Sequence, residues 1–102
     1  MPTLVKFILF SVFSMMSSLA YTADLKAGKA KANTCVSCHG VSGISTNDNW
    51  PNLAGQNKGY LIKQLKDFKT GARKDAQMGY WAKTLSKEDI DNIAAYYNSL
   101  KP

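Results

Sequence analysis

Residues 35–39 read Cys-Val-Ser-Cys-His and contain both cysteines and the single histidine of the 102-residue chain. Two thiols at this spacing lie about one helical turn apart, so both can add to neighbouring vinyl groups at one edge of a porphyrin. The histidine that follows is then held below the ring plane, where an imidazole nitrogen can bind the iron. The pattern C-x-x-C-H therefore predicts covalent attachment of one c-type haem through Cys35 and Cys38, with His39 as proximal ligand.

Three other uses of this pattern compete with haem attachment. A thioredoxin-like redox pair needs a βαβ context, and no part of the sequence alternates as a strand should. A structural zinc site needs a fourth ligand beyond Cys35, Cys38 and His39. A disulfide between the two cysteines would close too short a loop to stabilise a fold. The complete five-residue pattern favours haem over all three.

The second axial ligand must come from outside the motif. Because the chain has no second histidine, the candidates are methionine, lysine, tyrosine or an open coordination site. Met78 is the only methionine after residue 20, and it lies in the polar segment 74–81, which we expect to be irregular. A lone methionine is commonly core filler, but a polar loop favours ligation. Methionine ligation raises the reduction potential.

The N-terminal stretch is typical of a secretory signal peptide. Lys6 supplies a positive charge, an apolar run follows at positions 7–16, and small residues stand at Ser18 and Ala20. We expect cleavage after Ala20, which leaves residues 21–102 as one exported, periplasmic domain. The alternative is a retained anchor, but serines interrupt the run, and a membrane span needs about 20 apolar residues. No stable membrane insertion is expected after cleavage.

Apolar residues at helical spacing and capping signals predict three main helices, at positions 24–33, 58–70 and 87–100. The first contains Gly28, which indicates a close approach by another helix, and the last begins with a capping box at Ser86. Positions 39–56 are rich in Gly, Ser, Asn and Pro and predict a loop that wraps the cofactor. A domain of this size needs a bound cofactor or a cross-link to be stable, because its own hydrophobic core is small.

This arrangement resembles the small class I c-type cytochromes of the bacterial periplasm, and it is similar to single domains of their diheme relatives. The resemblance covers residues 24–102 and rests on blocks in the family's order, at positions 35–40, 51–56, 60–68, 71–73, 78 and 85–90. It implies an all-α fold with three main helices wrapped around one covalent haem, and His39 and Met78 as the iron ligands.

The resemblance also implies roles for residues near the cofactor. The Pro51 carbonyl is expected to accept a hydrogen bond from the second ring N–H of His39, and Gln56 or Arg73 to contact haem propionates. The segment after Met78 departs from the family pattern, since relatives commonly carry smaller aliphatic residues there.

We therefore expect a one-electron carrier and not an enzyme. Removal of the leader lowers the net charge from +6 to +5, and Lys58, Lys63 and Lys66 favour redox protein partners with an acidic docking surface. Export argues against nucleic acid as a partner. Two alternatives are a cytochrome subunit of a periplasmic dehydrogenase complex and a five-coordinate haem enzyme or sensor in which Met78 does not bind iron.

Overall fold

The computed structural model describes residues 22–102. Helices in this part of the chain are α1 (Leu25–Lys31), a 3₁₀ turn (Ala32–Cys35), α2 (Val36–His39), α3 (Lys58–Thr70), α4 (Ala76–Lys83) and α5 (Lys87–Ser99). Residues 22–102 contain no β-strand, and the predicted all-α class is confirmed. None of the helices in this range is long and apolar enough to cross a membrane. The predicted signal peptide, residues 1–20, lies outside the described residues.

Side-chain caps determine where the first and last helices begin. The Asp24 carboxylate accepts a hydrogen bond from the Ala27 N–H at 3.0 Å, which satisfies one of the free donors at the start of α1. At the start of α5, the Ser86 and Asp89 side chains each accept a bond from the other residue's backbone N–H, at 3.0 and 2.9 Å. The predicted capping box is confirmed.

The hydrophobic core lies where α5 packs against α1 and α3. It consists of the buried residues Ala32, Leu61, Leu85, Ile90, Ile93, Ala94 and Tyr97. Helix α1 comes close because Gly28 has no side chain, and a Cβ atom there would overlap the backbone carbonyl of Asn92. The predicted close approach at Gly28 is confirmed. The buried Asn92 side chain joins the same two helices, accepting from the Asp24 N–H at 2.9 Å.

The segment 74–81, expected to be irregular, is helical from Ala76 onward, and this expectation was wrong. Helix α4 begins because the Asp75 carboxylate accepts a hydrogen bond from the Met78 N–H at 2.8 Å. The sequence pattern is weak because Gly79 disfavours a helix and only Ala82 of α4 is buried. The capping aspartate was the signal that could have identified this fourth helix.

Candidate functional site

The Cys35–His39 segment begins in the 3₁₀ turn that follows α1. The α-helix predicted to reach residue 33 tightens into the 3₁₀ turn, and α2 then carries the rest of the motif. The helix ends at Gly40, whose φ of 88° suits glycine best. A Cβ atom at Gly40 would also overlap the backbone carbonyl of Ile44. The motif is thus held between a helical turn and a loop that needs glycine at its first position.

Both cysteines are free and half-buried. Burial raises the pKa of the Cys35 thiol, and the neighbouring Cys38 adds to this effect, while interactions with the side chains of Thr34 and Tyr97 oppose it. Within residues 22–102, no group of three or more His, Cys, Asp or Glu side chains is placed to hold a metal ion. The further ligands that a structural zinc would need next to Cys35 and Cys38 are therefore not found in that range.

His39 is buried, with 6% of its surface exposed, and its ring has a defined orientation. The Nδ1 atom lies 2.8 Å from the Pro51 carbonyl oxygen. A carbonyl can only accept, so Nδ1 carries the proton and donates. In the neutral imidazole the other ring nitrogen, Nε2, then carries no proton and is available to a metal. This is the hydrogen bond that the resemblance implied.

The loop that delivers Pro51 is folded back on itself by its own hydrogen bonds. The Leu53 N–H donates to the Gly43 carbonyl at 2.8 Å, and the Ser45 N–H donates to the Asn52 side-chain oxygen at 2.7 Å. Each of these bonds joins a residue that precedes Pro51 to one that follows it, so together they fix the loop around its carbonyl. The absence of helix and strand at positions 40–57 agrees with the irregular loop predicted from composition.

Met78 lies on a different element from the motif. It is half-buried in the first turn of α4, and among the residues that the structure describes it does not belong to the hydrophobic core. This position weakens the core-filler alternative. It also removes one argument for ligation, since Met78 is helical and not in an irregular polar loop.

Gln56 and Arg73, the two candidates for propionate contacts, bind neighbouring residues. The Gln56 side-chain oxygen accepts from the Asn57 N–H at 3.0 Å. The Arg73 guanidinium donates to the Gln64 side-chain oxygen at 2.7 Å and lies 4.5 Å from the centre of the Phe68 ring. No hydrogen bond joins Gln56 to Arg73 within residues 22–102.

The structure adds one residue that sequence reasoning placed only on the apolar face of α5. Tyr97 is 2% exposed, and its hydroxyl is buried without a hydrogen-bond partner among the described residues. Burial raises the pKa of Tyr97 well above its ordinary value, and interactions with Cys35 and Tyr96 act in the same direction. The sequence signal for this residue was a tyrosine on an apolar helix face, because a buried phenol hydroxyl usually has a hydrogen-bond partner.

Comparison with known proteins identifies the family to which these features belong. The sequence model of the cytochrome c family matches residues 25–101. The chain belongs to the cytochrome c family. Among its relatives, cytochrome c4 of Pseudomonas aeruginosa is 45% identical to this cytochrome c, with 84% of this chain and 43% of the relative covered. Cytochrome c-554(548) of Halomonas halodenitrificans is 46% identical, with 74% of this chain and 95% of the relative covered.

A solved structure shows the same fold. The crystal structure of reduced recombinant cytochrome c4 from Pseudomonas stutzeri superposes with a TM-score of 0.74 and 42% identity, covering 78% of this chain and 47% of that one. The predicted class I cytochrome c fold is therefore confirmed. This cytochrome c spans about half the length of the cytochrome c4 relatives it matches.

The residues of this cytochrome c fit haem c, the cofactor of the family. Both thiols that the motif needs are free, and the His39 hydrogen bond leaves Nε2 available. Apolar side chains also remain exposed directly after the motif, with Val41 at 82% and Ile44 at 38%. Cys35 and Cys38 are the residues that hold the haem covalently.

Proposed function

We propose that this cytochrome c is an exported one-electron carrier whose haem iron is ligated by His39 and Met78. The observation that carries this proposal is the buried His39 ring, with Nδ1 donating to the Pro51 carbonyl at 2.8 Å. A ring fixed in this way presents Nε2 as a ligand and becomes more basic. When bound, the haem supplies a ferric–ferrous couple, which is the chemistry of one-electron transfer.

The protein holds the cofactor at three points of different kinds. Cys35 and Cys38 attach the ring covalently, so it is not lost outside the cell. His39 would supply one ligand to the iron, and Met78 is proposed as the second. A second strong ligand closes the iron to oxygen or peroxide and leaves electron transfer as the remaining reaction, which is why we propose a carrier and not an enzyme.

Three observations support Met78 as the second ligand. It is the only methionine after residue 20, it is half-buried, and within residues 22–102 it stands apart from the core cluster. Its backbone is held in place by the Asp75 cap. A thioether stabilises ferrous iron, so this ligand favours a high reduction potential.

Visible spectroscopy tests the ligand set. We expect the ferric protein to show the far-red band of methionine-ligated haem, and the ferrous protein to resist carbon monoxide. Met78→Ala should abolish the band and open the iron to carbon monoxide. Gln77→Ala, which changes an exposed neighbour in the same helical turn, is the matched control and should leave both properties intact. Rapid carbon monoxide binding by the unaltered protein would instead favour a five-coordinate enzyme or sensor.

Redox partners with an acidic surface are the proposed docking partners, and the lysines of α3 support this. Lys58 and Lys66 are exposed and form no ion pair with the described residues, whereas Lys63 pairs with Asp67 at 2.6 Å. Attraction between these charges and an acidic partner would raise the association rate at low ionic strength. A rate independent of salt would rule out this steering. Lys66→Gln should lower the rate more than Lys87→Gln on α5.

A second candidate function is a permanent subunit of a periplasmic dehydrogenase complex. The observation in its favour is the pair Tyr80 and Trp81, which are 66% and 42% exposed with ring centres 5.1 Å apart in an edge-to-face arrangement. Exposed aromatic residues are enriched in protein interfaces. Gel filtration from native extract separates the two, because a free carrier elutes alone and a subunit elutes with its partner.

A further inference from the structure

The Tyr97 hydroxyl is a buried polar group in a closely packed residue. The Tyr97 backbone carbonyl accepts a hydrogen bond from the Gly55 N–H at 2.9 Å, and its ring lies so close to Gly43 that a Cβ atom there would be 3.1 Å from Tyr97 Cδ1. The residue is 2% exposed, so the hydroxyl is shielded from water. Yet no hydrogen-bond partner for this hydroxyl exists within residues 22–102.

An unpartnered buried hydroxyl destabilises the folded state, and most such groups in native proteins have a partner. The nearby group that can serve is the sulfur of Cys35, which packs against the cluster containing Tyr97. The Cys35 thiol and the Tyr97 hydroxyl influence each other's pKa, although no hydrogen bond joins them. Tyr96 also affects Tyr97, but its ring is tilted with its centre 5.2 Å away.

Haem attachment decides which of the two groups must donate. A free thiol and a phenol can each donate to the other. Once the Cys35 sulfur is bonded to the porphyrin it has no hydrogen and can only accept. We propose that in the haem-bearing protein the Tyr97 hydroxyl donates a hydrogen bond to the Cys35 thioether sulfur and so acts as a positioning residue that raises the reduction potential of the haem.

The direction of the effect follows from the orientation of the hydroxyl dipole. A hydroxyl that donates to the sulfur turns its positive end toward the haem edge, which disfavours the additional positive charge of ferric iron. In a buried, weakly screened position such a dipole has a measurable effect on the iron. This inference rests on haem attachment at Cys35 and not on the proposed carrier function. A protein that carries haem but exchanges electrons with no partner would leave it intact.

An equilibrium redox titration of the holoprotein tests the proposal. Tyr97→Phe removes the hydroxyl and keeps the ring, and we expect about a two-fold shift of the couple toward ferric iron. At 59 mV per tenfold change this is a potential about 18 mV lower. Tyr96→Phe removes the same group from the adjacent residue and should leave the potential unchanged. If Tyr97→Phe has the unaltered potential and greater resistance to denaturant, the hydroxyl has no partner and the proposal is wrong.

A double-mutant cycle shows whether the effect passes through the sulfur. The Cys35→Ala holoprotein, with the haem attached through Cys38 alone, lacks the proposed acceptor. Against this background Tyr97→Phe should no longer shift the potential, so the two substitutions should be non-additive. A shift of the same size with and without the Cys35 sulfur would overturn the proposal, because the hydroxyl would then act on another group.

Discussion

Helices α4 and α5 are separated by three residues, yet different interactions stabilise them. Helix α5 buries the residues Ile90, Asn92, Ile93, Ala94, Ala95 and Tyr97. Helix α4 buries only Ala82, and its aromatic residues Tyr80 and Trp81 are exposed. Packing therefore stabilises α5, whereas α4 depends on its cap, on contacts with α3 and, in the proposed function, on the bond from Met78 to the iron.

The difference divides the molecule into a packed region and a ligand region. In the packed region, α1 with α5, the protein itself satisfies both helix starts and the buried Asn92 side chain, while the Tyr97 hydroxyl has no partner among the described residues. The ligand region, positions 35–57 with α4, contains free thiols, a histidine with one unused ring nitrogen and exposed apolar side chains. We expect the packed region to determine global stability and the ligand region to determine the properties of the haem.

The largest expected effect comes from truncating a core residue of α5. Ile90 is 1% exposed, so Ile90→Ala removes apolar contacts and leaves a cavity, at a cost of about 2–5 kcal/mol in the free energy of unfolding. Tyr80→Ala, at an exposed aromatic residue of α4, should cost less than about 1 kcal/mol. Denaturant titration of both holoproteins measures the two values. Equal losses would contradict the division into two regions.

A methyl group at the helix crossing should have the next largest effect. Gly28→Ala gains about 1 kcal/mol of helix propensity, but its Cβ would overlap the Asn92 carbonyl, and overpacking of this kind costs about 1–3 kcal/mol. We therefore expect net destabilisation on thermal unfolding. Gly59→Ala in α3 is the control, since a Cβ there meets only the Asn57 side-chain oxygen at 3.5 Å. A stabilising Gly28→Ala would show that the helices are further apart.

Removing the caps of α5 and α4 should have smaller effects, on global stability for α5 and on haem ligation for α4. Ser86→Ala breaks the capping box of α5 and should lower the free energy of unfolding by about 1 kcal/mol. Asp75→Ala removes the cap next to Met78, so we expect it to weaken the far-red band and speed carbon monoxide binding more than it lowers global stability. If Asp75→Ala changes stability alone, α4 does not position the ligand.

The smallest expected effect is on the pH dependence of the packed region. Although desolvation acts in the opposite direction, hydrogen bonds with Ser86 and the charge of Lys31 keep the pKa of Asp89 below its ordinary value of 3.8. The ionised form thus stabilises the fold above that pH, and the contribution is lost as the pH falls through the lower folded value.

Asp89→Asn should therefore make the free energy of unfolding less dependent on pH in the acid range. The change should be less than about 1 kcal/mol, because the ion pair is partly exposed. Glu88→Gln is the control, since it removes the same charge from the adjacent exposed residue without removing the bonds to Ser86. Identical acid limbs for Asp89→Asn and the unaltered protein would show that the cap does not depend on charge.

Sequence patterns identified the helices that have strong local signals, namely apolar residues at helical spacing and capping residues. Helix α3 was predicted with its observed bounds, Lys58–Thr70, because its apolar face repeats at helical spacing and Gly71 ends it. Helix α5 was predicted to within one residue from its capping box. Helix α4 was missed because Gly79 and exposed aromatics obscure its periodicity. The roles of Met78, Gln56 and Arg73 at the haem stay predictions.

The sequence by itself determined the chemistry: five adjacent residues specify haem attachment, since thiol spacing and the following imidazole are properties of local chain geometry. The family resemblance implied the His39–Pro51 hydrogen bond and the sequence predicted a close approach at Gly28, but only the tertiary structure showed which atoms meet. The His39–Pro51 hydrogen bond, the contact of Gly28 with Asn92, and the burial of the Tyr97 hydroxyl near Cys35 join residues far apart in the chain. Such contacts depend on how helices pack around a shared core, which no local pattern encodes.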